Sequence, residues 1–121
     1  PMEGALVFTT ADLTSDNEEA VLYRSVMAKY SPGTETSGYT YTGYQAMLGL
    51  VRAAQGVQGE PTAPAIAAAL NSAKNVPLPA GDGITFSCDG TAMPSMPAIC
   101  SIKGVTVTIE NGDPIDPQVT K

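Results

Sequence analysis

The chain has 121 residues, of which 43% are hydrophobic and 15% are charged. A domain of this length can bury a core of its own, and no apolar run reaches the roughly 18 residues that a membrane span needs. The net charge of -6, with Lys and Arg scattered, argues against a nucleic-acid partner. Because the sequence has no histidine, it lacks the commonest metal ligand and proton carrier, and we expect neither a metal nor a cofactor.

The first elements are a strand and a helix. Residues 4–10, GALVFTT, are continuously apolar or β-branched, which predicts a strand covered on both faces. Ser15 and Glu18 stand at capping-box spacing, and the helix that they begin is predicted to end at residues 31–33, Ser-Pro-Gly. The apolar stripe expected to pack inward consists of Leu22, Tyr23, Val26, Met27 and Tyr30.

Two more helices are predicted. The first covers roughly residues 41–54, and its inward stripe is expected to be Tyr44, Met47, Leu48 and Val51. The second is alanine-rich, covers residues 63–74 and begins at Thr62 as N-cap with Pro64 in its first turn.

The remaining sequence favours strands. Residues 84–88, 98–102 and 105–110 are the three predicted strands. In the last of these, apolar residues alternate with threonines, so one face should be buried. Asn111-Gly112 is a turn signal, and Pro114 and Pro117 argue against a further paired strand in the tail.

Cys88 and Cys100 bracket a loop rich in Gly and Pro. Two thiols without histidine cannot complete a zinc site, and their spacing is too long for a redox-active Cys-x-x-Cys pair. We therefore predict a disulfide and an oxidising compartment, with two buried free thiols as the alternative.

Catalysis has little support in the sequence. No serine stands in a recognisable Ser-x-x-Lys pattern, so carboxylate pairs remain. Asp12 with Asp16, or Glu18 with Glu19, lie at a helix start, where N-capping explains them. We predict that the chain is not an enzyme.

The tyrosines are the better candidates for a site. Tyr44 is in phase with the apolar stripe and is predicted to be core. Tyr39 and Tyr41 precede the helix, at a junction where side chains can project beyond the packed layer. Because tyrosine offers an apolar face and one hydroxyl, both are candidate ligand-binding residues, with a core position as the alternative.

The order of segments resembles that of one known family. The segments are EGALVFTT, a helix ending AKYSPG, GYTYTGYQAM, AIAAAL, DGITFSCDGTA and a last strand ending ENGDP. This series is similar to the periplasmic substrate-binding proteins of the branched-chain amino-acid (Leu/Ile/Val-binding) type, the extracellular receptors of ABC importers, which have the type I periplasmic-binding-protein fold. Gln45 departs from the pattern, since these helices often carry Asp there, and the cysteine-bracketed loop is not general to the family.

The resemblance implies a fold and a role. The fold class is α/β: residues 1–121 would be the C-terminal segment of a doubly wound, two-lobed receptor, with three helices flanked by strands, parts of both lobes and the upstream segments absent. The family's aromatic position beside the ligand cleft falls on Tyr39, with Tyr41 as its neighbour. The implied partners are a small solute, such as an amino acid or related amphipathic molecule, and the permease of an ABC importer. The implied location is extracytoplasmic, in the periplasm or at the cell surface, with a lipid anchor in an upstream segment as one option.

A second function remains open from the sequence. One disulfide in a small exported chain also suits a structural or adhesion domain. A solute cleft would favour the receptor, and a self-associating apolar patch would favour the structural domain.

Overall fold

The computed structural model describes residues 2–120, and three helices and five strands are assigned within that range. In chain order they are β1 (Leu6–Thr9), α1 (Glu18–Tyr30), α2 (Thr40–Ala54), α3 (Ala63–Ser72), β2 (Val76–Pro77), β3 (Thr85–Phe86), β4 (Val105–Glu110) and β5 (Asp113–Val119). The mixture of helices and strands confirms the predicted α/β class.

The strands form two antiparallel sheets. One has three strands in the order β1-β4-β5, and the other pairs β2 with β3. On the inner face of the larger sheet, Val105 and Val107 pack with Ile84 into a buried cluster that Val7 and Leu78 extend. The first and last parts of the chain thus build one sheet, and the helices lie in the sequence between them.

The prediction that β1 is covered on both faces is wrong for the described residues. Its side chains alternate, with Val7 half-buried against the core while Leu6 and Phe8 are exposed on the other face. Gly104 lies under the Phe8 ring, and any side chain at that position would collide with the ring and with the Thr9 carbonyl. The continuous apolar run therefore reflects one buried face and one open apolar face.

The tail also differs from its prediction. The turn at Asn111-Gly112 is confirmed, and both residues have the positive φ that such a hairpin turn requires. The chain then continues as β5 and pairs with β4. Pro117 is tolerated because β5 is an edge strand and the register is irregular there, with Asp116 and Pro117 together opposite Val107.

Helix α1 begins two residues later than its predicted cap. Asn17, and not Ser15, is the N-cap, and its side chain accepts a hydrogen bond from the Ala20 amide at 2.9 Å. The buried face consists of Ala20 and Tyr23, with Met27 partly buried. Of the predicted stripe, Leu22 and Tyr30 are exposed, because the helix is rotated relative to that expectation.

Helix α2 contacts α1 through two tyrosines. The rings of Tyr44 and Tyr23 meet edge to face with centroids 5.0 Å apart, beside a cluster formed by Ala11, Tyr23 and Ala80. Met47 and Val51, two predicted core residues of α2, are instead exposed. Gly49 is buried beside the Phe86 ring, at a distance where an added methyl group would make ordinary van der Waals contact with the ring.

Helix α3 and the loop after it match the prediction in part. Thr62 is the N-cap, as predicted, and accepts a hydrogen bond from the Ala65 amide. Residues 98–102, a predicted strand, have no regular structure, and the confirmed disulfide between Cys88 and Cys100 links this segment to the chain just after β3. None of the helices within residues 2–120 is long and apolar enough to cross a bilayer.

Tyr23, which is buried, and Tyr44, which is partly buried, should respond in opposite ways to removal of the hydroxyl. The Tyr23 hydroxyl donates to the Thr36 carbonyl at 3.0 Å, so Tyr23→Phe should lower the free energy of unfolding by about 1 kcal/mol. The Tyr44 hydroxyl is buried without a partner among the described residues, so Tyr44→Phe should leave stability unchanged or raise it. Urea unfolding of both variants tests this, and a larger loss for Tyr44→Phe would contradict it.

The disulfide should stabilise the chain by restricting its unfolded state. Cys88 and Cys100 are 12 residues apart, so the double variant Cys88→Ala/Cys100→Ala should lose roughly 3 kcal/mol of unfolding free energy. Thiol titration of the unreduced protein in denaturant should find no free cysteine. Two reactive thiols in that assay would disprove the bridge.

Candidate functional site

A cavity of about 380 Å³ lies between the larger sheet and the start of α2. Its floor is formed by Val7, Thr9, Val107 and Ile109 from β1 and β4. The loop before α2, residues 36–38, and Tyr41 close one side. The cavity is thus built from segments that are far apart in sequence, and its volume falls in the range of roughly 300–1,000 Å³ of small-molecule sites.

Tyr41 is fixed at the cavity wall by a hydrogen bond to the sheet. Its hydroxyl is 3.1 Å from Thr9 Oγ1, at the end of β1. The ring is half-buried and packs against the core cluster around Tyr23. Tyr41 therefore combines a held hydroxyl with an apolar surface at the cavity, and it fits the description of a ligand-facing side chain.

The other two tyrosines lie elsewhere. Tyr39 is the N-cap residue of α2, is 90% exposed and is not part of the cavity lining. Tyr44 packs against the same core cluster as Tyr41. Burial, together with the negative charge of Glu19, raises the pKa of Tyr44 above its usual value. The structure brings Tyr41 to the cavity and leaves Tyr39 on the surface, so the ligand-binding role predicted for both stays a prediction.

Asp12 lies at the cavity edge and organises the turn before α1. Its side chain is 2% exposed. One carboxylate oxygen accepts from the Thr14 and Ser15 amides at 3.1 Å, and the other accepts from Asn17 Nδ2 at 3.0 Å and from the Ser15 hydroxyl. Burial alone raises the pKa of Asp12, but the hydrogen bonds from Ser15 and Thr14 outweigh it and the pKa is lowered. Asp12 is therefore an ionised structural carboxylate.

Gln45 joins α2 to the end of β1. Its amide nitrogen donates to the Thr10 carbonyl at 2.9 Å and to the Pro79 carbonyl at 2.8 Å. Its amide oxygen accepts from the Thr10 hydroxyl at 3.0 Å. An Asp at this position would be shorter and, when ionised, could not donate either bond. The two hydrogen bonds that Gln45 donates thus explain why Gln stands where the resembled family often has Asp.

Thr9, Arg52 and the contacts of Gln45 were not identified from the sequence, because their partners are remote in the chain. The signal that could have found them is the spacing of Tyr41, Gln45 and Arg52, which lie on one side of α2 at helical intervals. The predicted stripe around Tyr44 instead followed hydrophobicity alone. A polar stripe next to an apolar one indicates a helix that is held by hydrogen bonds as well as by packing.

Three of the four carboxylates that were weighed for catalysis, namely Asp12, Asp16 and Glu19, have structural partners. Glu19 accepts a hydrogen bond from the Ala80 amide and pairs with Arg52 at 2.9 Å, while Asp16 pairs with Arg24 at 3.5 Å. Within residues 2–120, no group of three or more Asp, Glu or Cys side chains could hold a metal ion. These contacts explain Asp12, Asp16 and Glu19 as parts of the scaffold.

Comparison with protein families gives one match. A family model described as periplasmic binding protein covers residues 1–100 of the chain. Searches of curated proteins and of solved structures found no match. The matched range contains β1, the three helices and the tyrosines around the start of α2, and it ends at Cys100.

The charge of Asp12 should contribute to stability in a pH-dependent way. Because its pKa is lower in the folded state than the ordinary value of 3.8, its stabilising contribution is complete above that pH and is lost as pH falls through the folded pKa. Asp12→Asn should lower the free energy of unfolding by about 1–3 kcal/mol at pH 7. The difference in unfolding free energy between the variant and the unmodified chain should become smaller below pH 3.8.

Asp16→Asn is the matched control for this prediction. Asp16 is exposed, and its ion pair with Arg24 lies at the surface, so the free energy of unfolding should change by less than about 1 kcal/mol at either pH. Urea unfolding at pH 7 and at pH 3 separates the two carboxylates. Equal losses for both variants would show that Asp12 has no special role.

Proposed function

Because the chain belongs to the periplasmic binding protein family, whose members are generally non-enzymatic binding proteins, we propose that it serves as part of the solute receptor of an ABC importer. Its cargo would be a small amphipathic solute of the amino-acid type, and its second partner the membrane permease. The observation that carries the proposal is the family match over residues 1–100. A cavity of ligand size, lined by residues of the matched range and by residues of β4 and β5, supports it.

An extracytoplasmic location agrees with both the family and the disulfide. Disulfides persist in oxidising compartments and are rare in the cytosol. Cys88 and Cys100 are bridged, and the part of the chain that the structure describes has no free cysteine. Export therefore accounts for the covalent link in a loop with little regular structure.

We also propose that residues 1–121 contribute to both lobes of a larger two-lobed receptor. Four large apolar residues that the sequence pattern predicted to be buried are exposed: Leu6, Phe8, Met47 and Val51. They lie on two different elements, the outer face of β1 and the outer face of α2. Large apolar residues at such positions support two separate packing surfaces, one for each lobe.

Within that receptor, Tyr41 has the stronger support as a solute contact. It lines the cavity and its hydroxyl is fixed by Thr9, so it would meet a solute with little loss of conformational entropy. Tyr39 would reach a solute only if the cleft extends past the start of α2. The exposed Tyr39 ring still suits the role that the family resemblance gives it.

Alanine variants of the full-length receptor test the assignment. Tyr41→Ala should weaken solute binding by roughly tenfold to a hundredfold, because it removes ring contact and one hydroxyl. Tyr30→Ala is the matched control, since Tyr30 is an exposed tyrosine that does not line the cavity. Calorimetry against a panel of amino acids and neutral amphipathic solutes gives the affinities, and melting temperatures show whether each variant is folded.

The outcomes decide between the two functions and between the two tyrosines. If Tyr39→Ala weakens binding and Tyr41→Ala does not, the contact lies on the outer side of the start of α2. If no solute in the panel binds and the protein self-associates, the structural or adhesion domain is the better description. Solute binding that none of the tyrosine variants changes would place the site away from this cavity.

A further inference from the structure

We infer that the cavity beside Tyr41 accepts an uncharged, mainly apolar group of the solute and discriminates against anionic groups. This inference rests on the proposed receptor function and names the chemistry that this part of the site would select. It is carried by the charge distribution and the composition of the cavity wall.

The wall is mostly hydrocarbon. Val7, Val107 and Ile109 form an apolar floor, and Pro114 adds to it from β5. Val107 is buried and belongs to the hydrophobic cluster of the larger sheet, so the floor is held by the core and is already formed without a ligand. An apolar group placed on this floor would gain from the surface that it removes from water.

The charged side chains that line the cavity are both negative, and the nearby Arg24 guanidinium is held by the Leu13 and Ser15 carbonyls outside the lining. Asp12 and Asp113 line it, whereas no Lys or Arg does so among residues 2–120. Asp12 is ionised, as its lowered pKa indicates, and its hydrogen-bond donors are neutral groups of Thr14, Ser15 and Asn17. The ion pairs found within the described range include neither Asp12 nor Asp113. An anion that entered would therefore lose its hydration without meeting a counter-charge.

Besides the two carboxylates, the polar side-chain groups at the open parts of the cavity wall are hydroxyls. Thr36 and Ser37 lie at the rim and are exposed. The Ser37 hydroxyl donates to Glu35 at 2.6 Å and keeps its oxygen as an acceptor, and the Tyr41 hydroxyl is shared with Thr9. Hydroxyls can donate to, or accept from, one neutral polar tip on an otherwise apolar group. An alcohol or amide on a hydrocarbon or aromatic body fits this arrangement, while a carboxylate or phosphate does not.

The test uses two probes of nearly equal shape and different charge, benzyl alcohol and benzoate, on the full-length protein. Saturation-transfer NMR should detect benzyl alcohol, with benzoate binding at least about tenfold more weakly. Thr36→Trp fills the rim from an exposed position without altering the core, and it should reduce the benzyl alcohol signal at least fivefold. Thr34→Trp, at an exposed position that does not line the cavity, is the matched control and should leave the signal unchanged.

Two results would overturn the inference. The first is benzoate binding as tightly as benzyl alcohol with the same sensitivity to Thr36→Trp. The second is that neither probe responds to Thr36→Trp. Failure of the proposed function has a different signature, in which the probes bind as expected but no solute in the panel does. Conversely, if a solute binds with the same affinity to the Thr36→Trp and Tyr41→Ala variants as to the unmodified protein, the receptor function stands and the inference about this cavity is wrong.

Discussion

The segment of residues 77–80 is the part of the chain on which the rest of the arrangement depends. Glu19 of α1 accepts the Ala80 amide, Gln45 of α2 donates to the carbonyl of residue 79, and Arg52 of α2 donates to that of residue 77. The Glu19–Arg52 ion pair at 2.9 Å connects the two helices at the same place. Because the two side chains are mostly shielded from water, this pair and its backbone bonds are stronger than a surface pair. Removal of one partner would leave a buried charge unpaired.

This polar junction explains why the helices meet as they do. Hydrophobic patterning alone put Leu22 and Tyr30 of α1 inward, with Met47 and Val51 of α2. The contacts to residues 77–80 instead select the faces that carry Glu19 and Arg52, and the apolar residues next to them become exposed. A helix with two apolar sides leaves its rotation undetermined by sequence periodicity. The hydrogen-bond partners, which are remote in sequence, determine it.

Several features that depend only on residues close in sequence were therefore predicted correctly. The Thr62 cap, the turn at Asn111-Gly112 and the alternation of β4 depend on neighbours within a few residues, and all three were confirmed. The pairing of β5 was not predictable from Pro117, because its tolerance depends on an edge position and an irregular register that only the folded sheet supplies. The candidate site divides in the same way: its tyrosines could be identified from composition, whereas the partner of Tyr41, 32 residues away in sequence, could not.

The same junction also determines what the cavity can offer a ligand. Arg52 pairs with Glu19 and donates to the carbonyl of residue 77, and it does not line the cavity. Asp12 donates its amide to the Ala80 carbonyl at 2.8 Å, which places its carboxylate beside the cavity with neutral donors only. The segment that connects the two helices thus separates the positive side chain from the negative one. The neutral to negative character of the cavity follows from how the helices are held together, so a variant that lengthened or redirected residues 77–80 would change both the helix contact and the charge that a solute meets.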